Sequence, residues 1–301
     1  MNKFLSLLEH SSVILADGAM GTMLFEAGLE SGDSPQAWNI THPERVRAVH
    51  RAYLDAGSQV ALTNTFGSNP FRLARHNLQT KTSELNRAGA ALLRDEVDEA
   101  GGRALVAGDI GPTGELLAPL GKLKFHEAVE AFAEQAGALL DGGVDLIWIE
   151  TMSALQEIQA AMEGIRKVSP DVPIVATMTF EKHGRTMMGV SPEQAVRALT
   201  DWGVSALGGN CGTGPEELLH VIRTMHGIAA AMPLVFKPNA GVPELIDGKT
   251  TYNATAESMA KSALAAVPAG ARIIGACCGS TPAHIRAMSE ELLTGTMTEN
   301  P

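Results

Sequence analysis

Aromatic residues, cysteines and long apolar runs are all scarce in this chain, and each scarcity excludes something. Aromatics make up 4% of the 301 residues. No run approaches the roughly 18 uninterrupted apolar residues that a membrane-spanning helix needs, so none is expected. Basic residues are outnumbered, 23 against 34 acids, for a net charge of −11. That balance argues against nucleic acid or an anionic membrane as partner. Three cysteines, an odd number, do not make a disulfide framework. The apolar stretch 1–8 is broken by Glu9 and His10 and lacks a small-residue cleavage pattern, so no signal peptide is expected and the cytoplasm is the predicted compartment. What is present suffices for a full core: hydrophobic residues are 45% of the chain, with no break in composition. A single domain over residues 1–301 is predicted.

Short apolar, β-branched runs recur at 12–16, 59–63, 104–108, 144–149, 174–180, 207–212, 234–237 and 273–279. Each opens into glycine or polar residues and is followed by a segment of helical periodicity. Thr41-His42-Pro43-Glu44 and Ser191-Pro192-Glu193-Gln194 read as capping boxes with proline in the first turn. An amphipathic stretch at 125–140 runs into Gly142-Gly143. Apolar strands alternating with helices imply a parallel sheet covered by helices. Eight such units in this length predict a (β/α)8 TIM barrel, with a doubly wound open sheet as the alternative. The first two loops after strands are the longest, and are expected to fold over the mouth.

All three cysteines fall at strand exits beside glycine: Cys211 in the sixth run, Cys277 and Cys278 in the eighth. Reach argues against a disulfide between the vicinal pair, since adjacent α-carbons lie about 3.8 Å apart, below the usual disulfide range of about 4.4–6.8 Å. Two readings remain. The cysteines are small buried hydrophobes, or they are thiolate ligands of one metal, for which zinc with an open fourth position is the natural choice. In a barrel all strand exits meet at one face, and the sixth and eighth strands are separated by one neighbour. Asp17, Asn64, Asp109, Glu150 and Asn210 also lie at strand exits, where Asp and Asn commonly cap loops. Glu150 stands apart: directly after Trp148-Ile149 it would top a packed interior, and there it needs an arginine or a ligand amine. The glycine loops at 18–21 and 111–114 offer backbone N–H groups to a carboxylate or phosphate. His42, His126, His183 and His226 belong to no paired motif.

Taken together, Asp17-Gly18-Ala19-Met20-Gly21-Thr22, Thr63-Asn64-Thr65-Phe66, Gly108-Asp109-Ile110-Gly111-Pro112, Gly209-Asn210-Cys211-Gly212 and Gly275-Ala276-Cys277-Cys278-Gly279 resemble the homocysteine S-methyltransferase family. That family includes betaine–homocysteine S-methyltransferase and the homocysteine-binding module of cobalamin-dependent methionine synthase. The resemblance implies a TIM barrel with zinc on Cys211, Cys277 and Cys278. It also implies Asp17 and Glu150 on the amino group of homocysteine, backbone N–H groups near Ala19 and Met20 on its carboxylate, and Asn64 and Asn210 at the site. The pattern, including Ser34-Pro35 and Trp38-Asn39, looks most like short bacterial proteins assigned to betaine. A quaternary ammonium is drawn to aromatic faces, so Trp38, Phe66 and Phe71 form the expected cage. The position after Thr65-Phe66, a tyrosine in the animal betaine enzyme, is Gly67 here. S-methylmethionine, another sulfonium, or methylcobalamin on a separate corrinoid protein are the alternative donors. A homo-oligomer is common in the family. A phosphate-binding barrel aldolase or isomerase with structural cysteines is the remaining alternative.

Overall fold

The computed structural model describes residues 2–246 and 249–297. Eight parallel strands form the sheet: β1 (Ile14–Leu15), β2 (Val60–Leu62), β3 (Leu105–Ile110), β4 (Leu146–Met152), β5 (Ile174–Met178), β6 (Ala206–Cys211), β7 (Leu234–Pro238) and, after a small hairpin of β8 (Glu244–Ile246) and β9 (Lys249–Thr251), β10 (Ala271–Ile274). Their order is β1-β10-β7-β6-β5-β4-β3-β2. A parallel bridge between Ala16 and Val60, with the Asp17 amide donating to the Val60 carbonyl at 3.1 Å, joins the first strand to the last and closes the barrel. This is the predicted TIM barrel rather than the open sheet.

Two-residue periodicity decides which side chains enter the barrel. Val60 and Leu62 of β2, Leu105 and Ala107 of β3, Leu146 and Trp148 of β4, Val175 of β5, Ala206 of β6 and Val235 of β7 share one buried apolar cluster. The residues between them face the surrounding helices. The helix Lys3–His10, capped by Asn2, drives Phe4 into the same interior cluster, plugging the end opposite the strand exits. That helix went unread in the sequence because eight residues are too few to show a periodicity.

The helix Pro192–Asp201 starts with the predicted capping box, Ser191 accepting from Gln194 N and Gln194 accepting from Ser191 N. At Thr41 the predicted box does not form. Thr41 ends the short helix Trp38–Thr41, its hydroxyl donating to Ala37 O at 3.1 Å, and His42 caps the helix Pro43–Asp55. The β8–β9 hairpin is a further departure, a strand pair inside the seventh connection that carries no strong apolar alternation.

Gly208 of β6 is required by closeness rather than by dihedral angle. A Cβ there would lie 2.2 Å from the carbonyl oxygen of Val235 on the adjacent strand. Gly208→Ala is therefore expected to lower stability by about 3 kcal/mol, read as a falling midpoint in chemical denaturation.

Candidate active site

The strand exits surround a cavity of about 430 Å³. The first two connections fold over it as their lengths predict, contributing Met20, Gln36, Asn64, Phe66 and Arg72 to its lining. Its floor comes from the barrel's own alternation. Continuing the inward register by two residues turns Ala107 into Asp109, Trp148 into Glu150, Val175 into Thr177 and Val235 into Lys237. A polar layer thus rests on the apolar plug.

Cys211, Cys277 and Cys278 meet at one side of this cavity. Their sulfurs stand 2.7 Å (211–277), 3.8 Å (211–278) and 4.0 Å (277–278) apart. β10 ends at Ile274, so both vicinal cysteines lie in the turn beyond it, where strand alternation no longer separates them. That turn is pinned by Cys277 N on Pro238 O (2.7 Å), Ala240 N on Cys278 O (2.9 Å) and Ser280 Oγ on Cys277 O (2.8 Å). Gly279 has φ +80°, and a Cβ on it would enter the Tyr252 ring. Cys211 itself sits at φ +57°, a conformation costly for a residue with a Cβ and found where a site demands it. Ligands on a tetrahedral zinc with bonds near 2.3 Å stand about 3.8 Å apart. Two of the three sulfur separations match that value, and the third needs to open by about 1 Å. The donor set and its spacing fit zinc. Hydrogen bonds from Cys211 and Cys277 pull Cys278 down to about 3, whereas Cys211 is pushed well up by its sulfur neighbours and burial. As packed here, three sulfurs share negative charge that only a cation would let all of them carry.

The carboxylates are equally crowded. Asp17, Asp109 and Glu150 are all buried, facing one ammonium, that of Lys237. Lys237 Nζ lies 3.0 Å from Asp17 Oδ1 and 3.9 Å from Glu150 Oε2, and 5.3 Å from the Trp148 ring centre. Asp17 Oδ2 accepts from Leu62 N at 2.7 Å. Asp109 Oδ1 and Glu150 Oε2 are buried without a hydrogen-bond partner. Burial pushes Glu150 up to about 8 against the opposing pull of Lys237, and burial with the Glu150 charge raises Asp109 well above the carboxylate range. Such oxygens need a proton or a ligand cation. Lys237 went unread although its signal was there: it stands two residues after inward-facing Val235.

Removing that ammonium has a calculable consequence. Lys237→Met leaves Asp17 buried with no cation, a loss of about 3 kcal/mol near pH 7. Without lysine the folded-state pKa of Asp17 rises further above its unfolded value. The stability deficit is therefore smallest at low pH, where folded Asp17 is protonated in parent and variant alike, and grows as pH rises from the parent's folded value toward the higher one of the variant. Denaturation midpoints of variant and parent between pH 4 and 8 check this.

Other expected site residues divide. Asn64 lines the cavity, with its amide nitrogen donating to Pro35 O (2.8 Å) and Asn39 Oδ1 (2.9 Å). Asn210 is buried beneath it, its oxygen accepting from Thr151 N and Thr177 Oγ1 and its nitrogen donating to Thr151 Oγ1 and, at 3.7 Å, to Cys277 Sγ. It touches the Cys277 sulfur and does not line the cavity. Ala19 and Met20 line the wall, but the Ala19 amide is already given to Ser280 Oγ at 3.0 Å, leaving Met20 at the start of the helix Met20–Glu26. The aromatic cage is not assembled. Trp38 is buried outside the cavity, stacked on His42 at 4.7 Å with the Arg45 guanidinium 5.0 Å from its ring. Phe71 packs against the core. Phe66 alone lines the cavity, and Arg72 lies over its face at 5.3 Å.

A closed parallel barrel whose mouth joins a cluster of three thiols to buried carboxylates defines a class of barrel protein with its polar cavity at the strand exits. The family model described as homocysteine S-methyltransferase matches residues 14–292, and the chain belongs to that family. It is 34% identical over 292 residues to a methionine synthase of Mycobacterium tuberculosis, covering 92% of this chain and 24% of that protein. A Mycobacterium leprae methionine synthase is 33% identical with the same coverage. The chain thus spans about a quarter of the length of these curated relatives. The metallated form of the homocysteine methyltransferase MmuM from Escherichia coli superposes with a TM-score of 0.77 at 30% identity, covering 95% of this chain and 98% of that one. The carboxyl transferase domain of Rhizobium etli pyruvate carboxylase, at 14% identity and a TM-score of 0.53, shares the fold alone. Family membership removes the aldolase or isomerase alternative. Among the described residues no helix is long and apolar enough to cross a membrane.

Proposed function

We propose that this homocysteine methyltransferase forms methionine at the three-cysteine cluster, with zinc as its metal and glycine betaine as its methyl donor. The observation that carries the reading is the convergence of three sulfurs, all within 4.8 Å of one another, beside a cavity with two buried carboxyl oxygens that accept no hydrogen bond. Cys211, Cys277 and Cys278 would hold the zinc, which when bound supplies a Lewis acid that keeps an incoming thiol ionised at neutral pH. Asn210 steadies Cys277 by its hydrogen bond.

Glu150 takes the substrate ammonium on its free oxygen, and Asp17 adds a remaining lone pair while Lys237 keeps it ionised. Asp109 contributes a third negative group. The Met20 amide faces the amino-acid carboxylate. The sulfur of homocysteine forms the new S–CH3 bond as the donor's N–CH3 bond breaks, and the electron pair stays on the departing dimethylamino nitrogen. No side chain of the protein carries the methyl group. The acid-rich floor favours a cationic donor head even without an aromatic cage.

A second reading has a specific observation in its favour: curated relatives at 33–34% identity are methionine synthases about four times the length that this chain covers. On that reading the methyl group arrives as methylcobalamin on a separate corrinoid protein. One panel tests both. Zinc-loaded protein is given homocysteine with glycine betaine, S-methylmethionine, dimethylsulfoniopropionate or methylcobalamin in turn, and methionine is scored. Turnover with betaine is expected. Inactivity with every small donor, relieved by a corrinoid protein, would replace the first reading by the second.

A further inference from the structure

Arg72 is unlike the other cation of the cavity. Lys237 is committed to Asp17, whereas Arg72 forms no ion pair among the described residues. Its backbone amide donates to Asn69 Oδ1 at 3.0 Å and its Nε to Pro112 O at 3.1 Å, while its guanidinium lies over Phe66. The side chain is thereby fixed at both ends of its stem. The residue lines the cavity, and its two terminal nitrogens have no hydrogen-bond partner among the described residues. The nearby acid Glu157 spends one carboxylate oxygen on Thr113, accepting from its amide at 2.8 Å and from its hydroxyl at 2.6 Å. A planar fork held this way is preorganised for a carboxylate.

Position decides whose carboxylate. In the closed strand order, β2 lies four places from β6 and two from β10, so the connection after β2, which carries Arg72, faces Cys211 across the mouth while Cys277 and Cys278 lie two strands round from it. Arg72 and the three cysteines line one cavity, so a donor with its methyl-bearing end at the sulfurs can set a negative end against Arg72. Asp109, on β3 between them and with Oδ1 accepting no hydrogen bond, suits a cationic centre.

Resting on the proposed methyl transfer to homocysteine, we propose that Arg72 is a specificity-determining residue that binds the carboxylate of the methyl donor. The site is thereby restricted to zwitterionic onium donors, compounds with a methylated cation at one end and a carboxylate at the other.

Steady-state kinetics with glycine betaine and with choline, which keeps the trimethylammonium head and lacks the carboxylate, test it. The parent is expected to prefer betaine by about 100-fold in kcat/KM. Arg72→Gln is expected to raise the KM for betaine by about 100-fold, with kcat changed less than about threefold and the KM for homocysteine unmoved, so the preference over choline collapses. Arg72→Lys keeps the charge and loses the fork, and is expected to recover about tenfold of the loss. Calorimetric binding of betaine to parent and Arg72→Gln, without homocysteine, gives a readout independent of turnover. An unchanged betaine KM and affinity in Arg72→Gln, or a rise in the KM for homocysteine instead, overturns the assignment while methionine formation by the parent leaves the methyl-transfer reading intact. Absence of methionine from betaine in the parent counts against the donor reading itself, and absence of betaine binding counts against both.

Discussion

Cys211→Ser is expected to lower methionine formation by about three orders of magnitude and to leave the purified chain with little zinc. Serine is nearly isosteric, so the substitution tests chemistry rather than packing. Cys211 stands apart from the vicinal pair in sequence, and the backbone accepts φ +57° there to aim its sulfur at Cys277 and Cys278. A hydroxyl at that place is a poor zinc ligand at neutral pH, and two thiolates alone make an incomplete site. Asn210→Ala is the useful companion. It removes the donor to Cys277 without touching a ligand, and belongs to the class of outer-shell changes that cost about 10–100-fold. Elemental analysis and methionine production, measured on the same preparations, separate the two effects.

Glu150→Gln is expected to raise the KM for homocysteine by about 100-fold, since a charge-assisted hydrogen bond to the ammonium becomes a neutral one. Its pH dependence follows from burial, which raises the carboxyl to about 8. Below that pH the free protein carries Glu150 protonated, and the ammonium needs it ionised. Binding of methionine, which shares the amino-acid end but has no thiol, should therefore tighten from pH 6 to pH 8 in the parent and release a proton. In Glu150→Gln the dependence due to this group disappears. The stability effect has the opposite sense. A carboxyl with its folded pKa above the unfolded one contributes stability at low pH that is lost as pH rises toward 8. The parent pays this cost and the glutamine variant does not, so Glu150→Gln should melt higher than the parent at pH 8.5 without substrate. Calorimetry in buffers of different ionisation heat, with thermal melts alongside, checks both halves.

The barrel was legible because its strands are short, apolar and buried on both faces, which writes them into sequence as separate runs. The sulfur site was legible once those runs were counted, since counting left a single strand between Cys211 and the Cys277–Cys278 pair. Glu150 was legible from its neighbours, Trp148 and Ile149. Lys237 was missed because a lysine at the end of a strand normally reaches solvent, and only the two-residue register from Val235 turns it inward. Arg72 was missed because it lies in a connection whose course depends on distant carbonyls, notably Pro112 O. Trp38 misled for the same reason. A mouth loop places it near the site in sequence, but its ring finds His42 and Arg45 and stays outside the cavity. Strand registers propagate from residue to residue, and loop positions are set by contacts that no local pattern records.

Metal content measured together with turnover bears on all of this most directly. Freshly purified chain is analysed for zinc and assayed for methionine from homocysteine, then stripped with a chelator and reloaded. One zinc per chain, with activity lost on stripping and regained on reloading, is the expected result. Full activity in protein that holds no metal would contradict it.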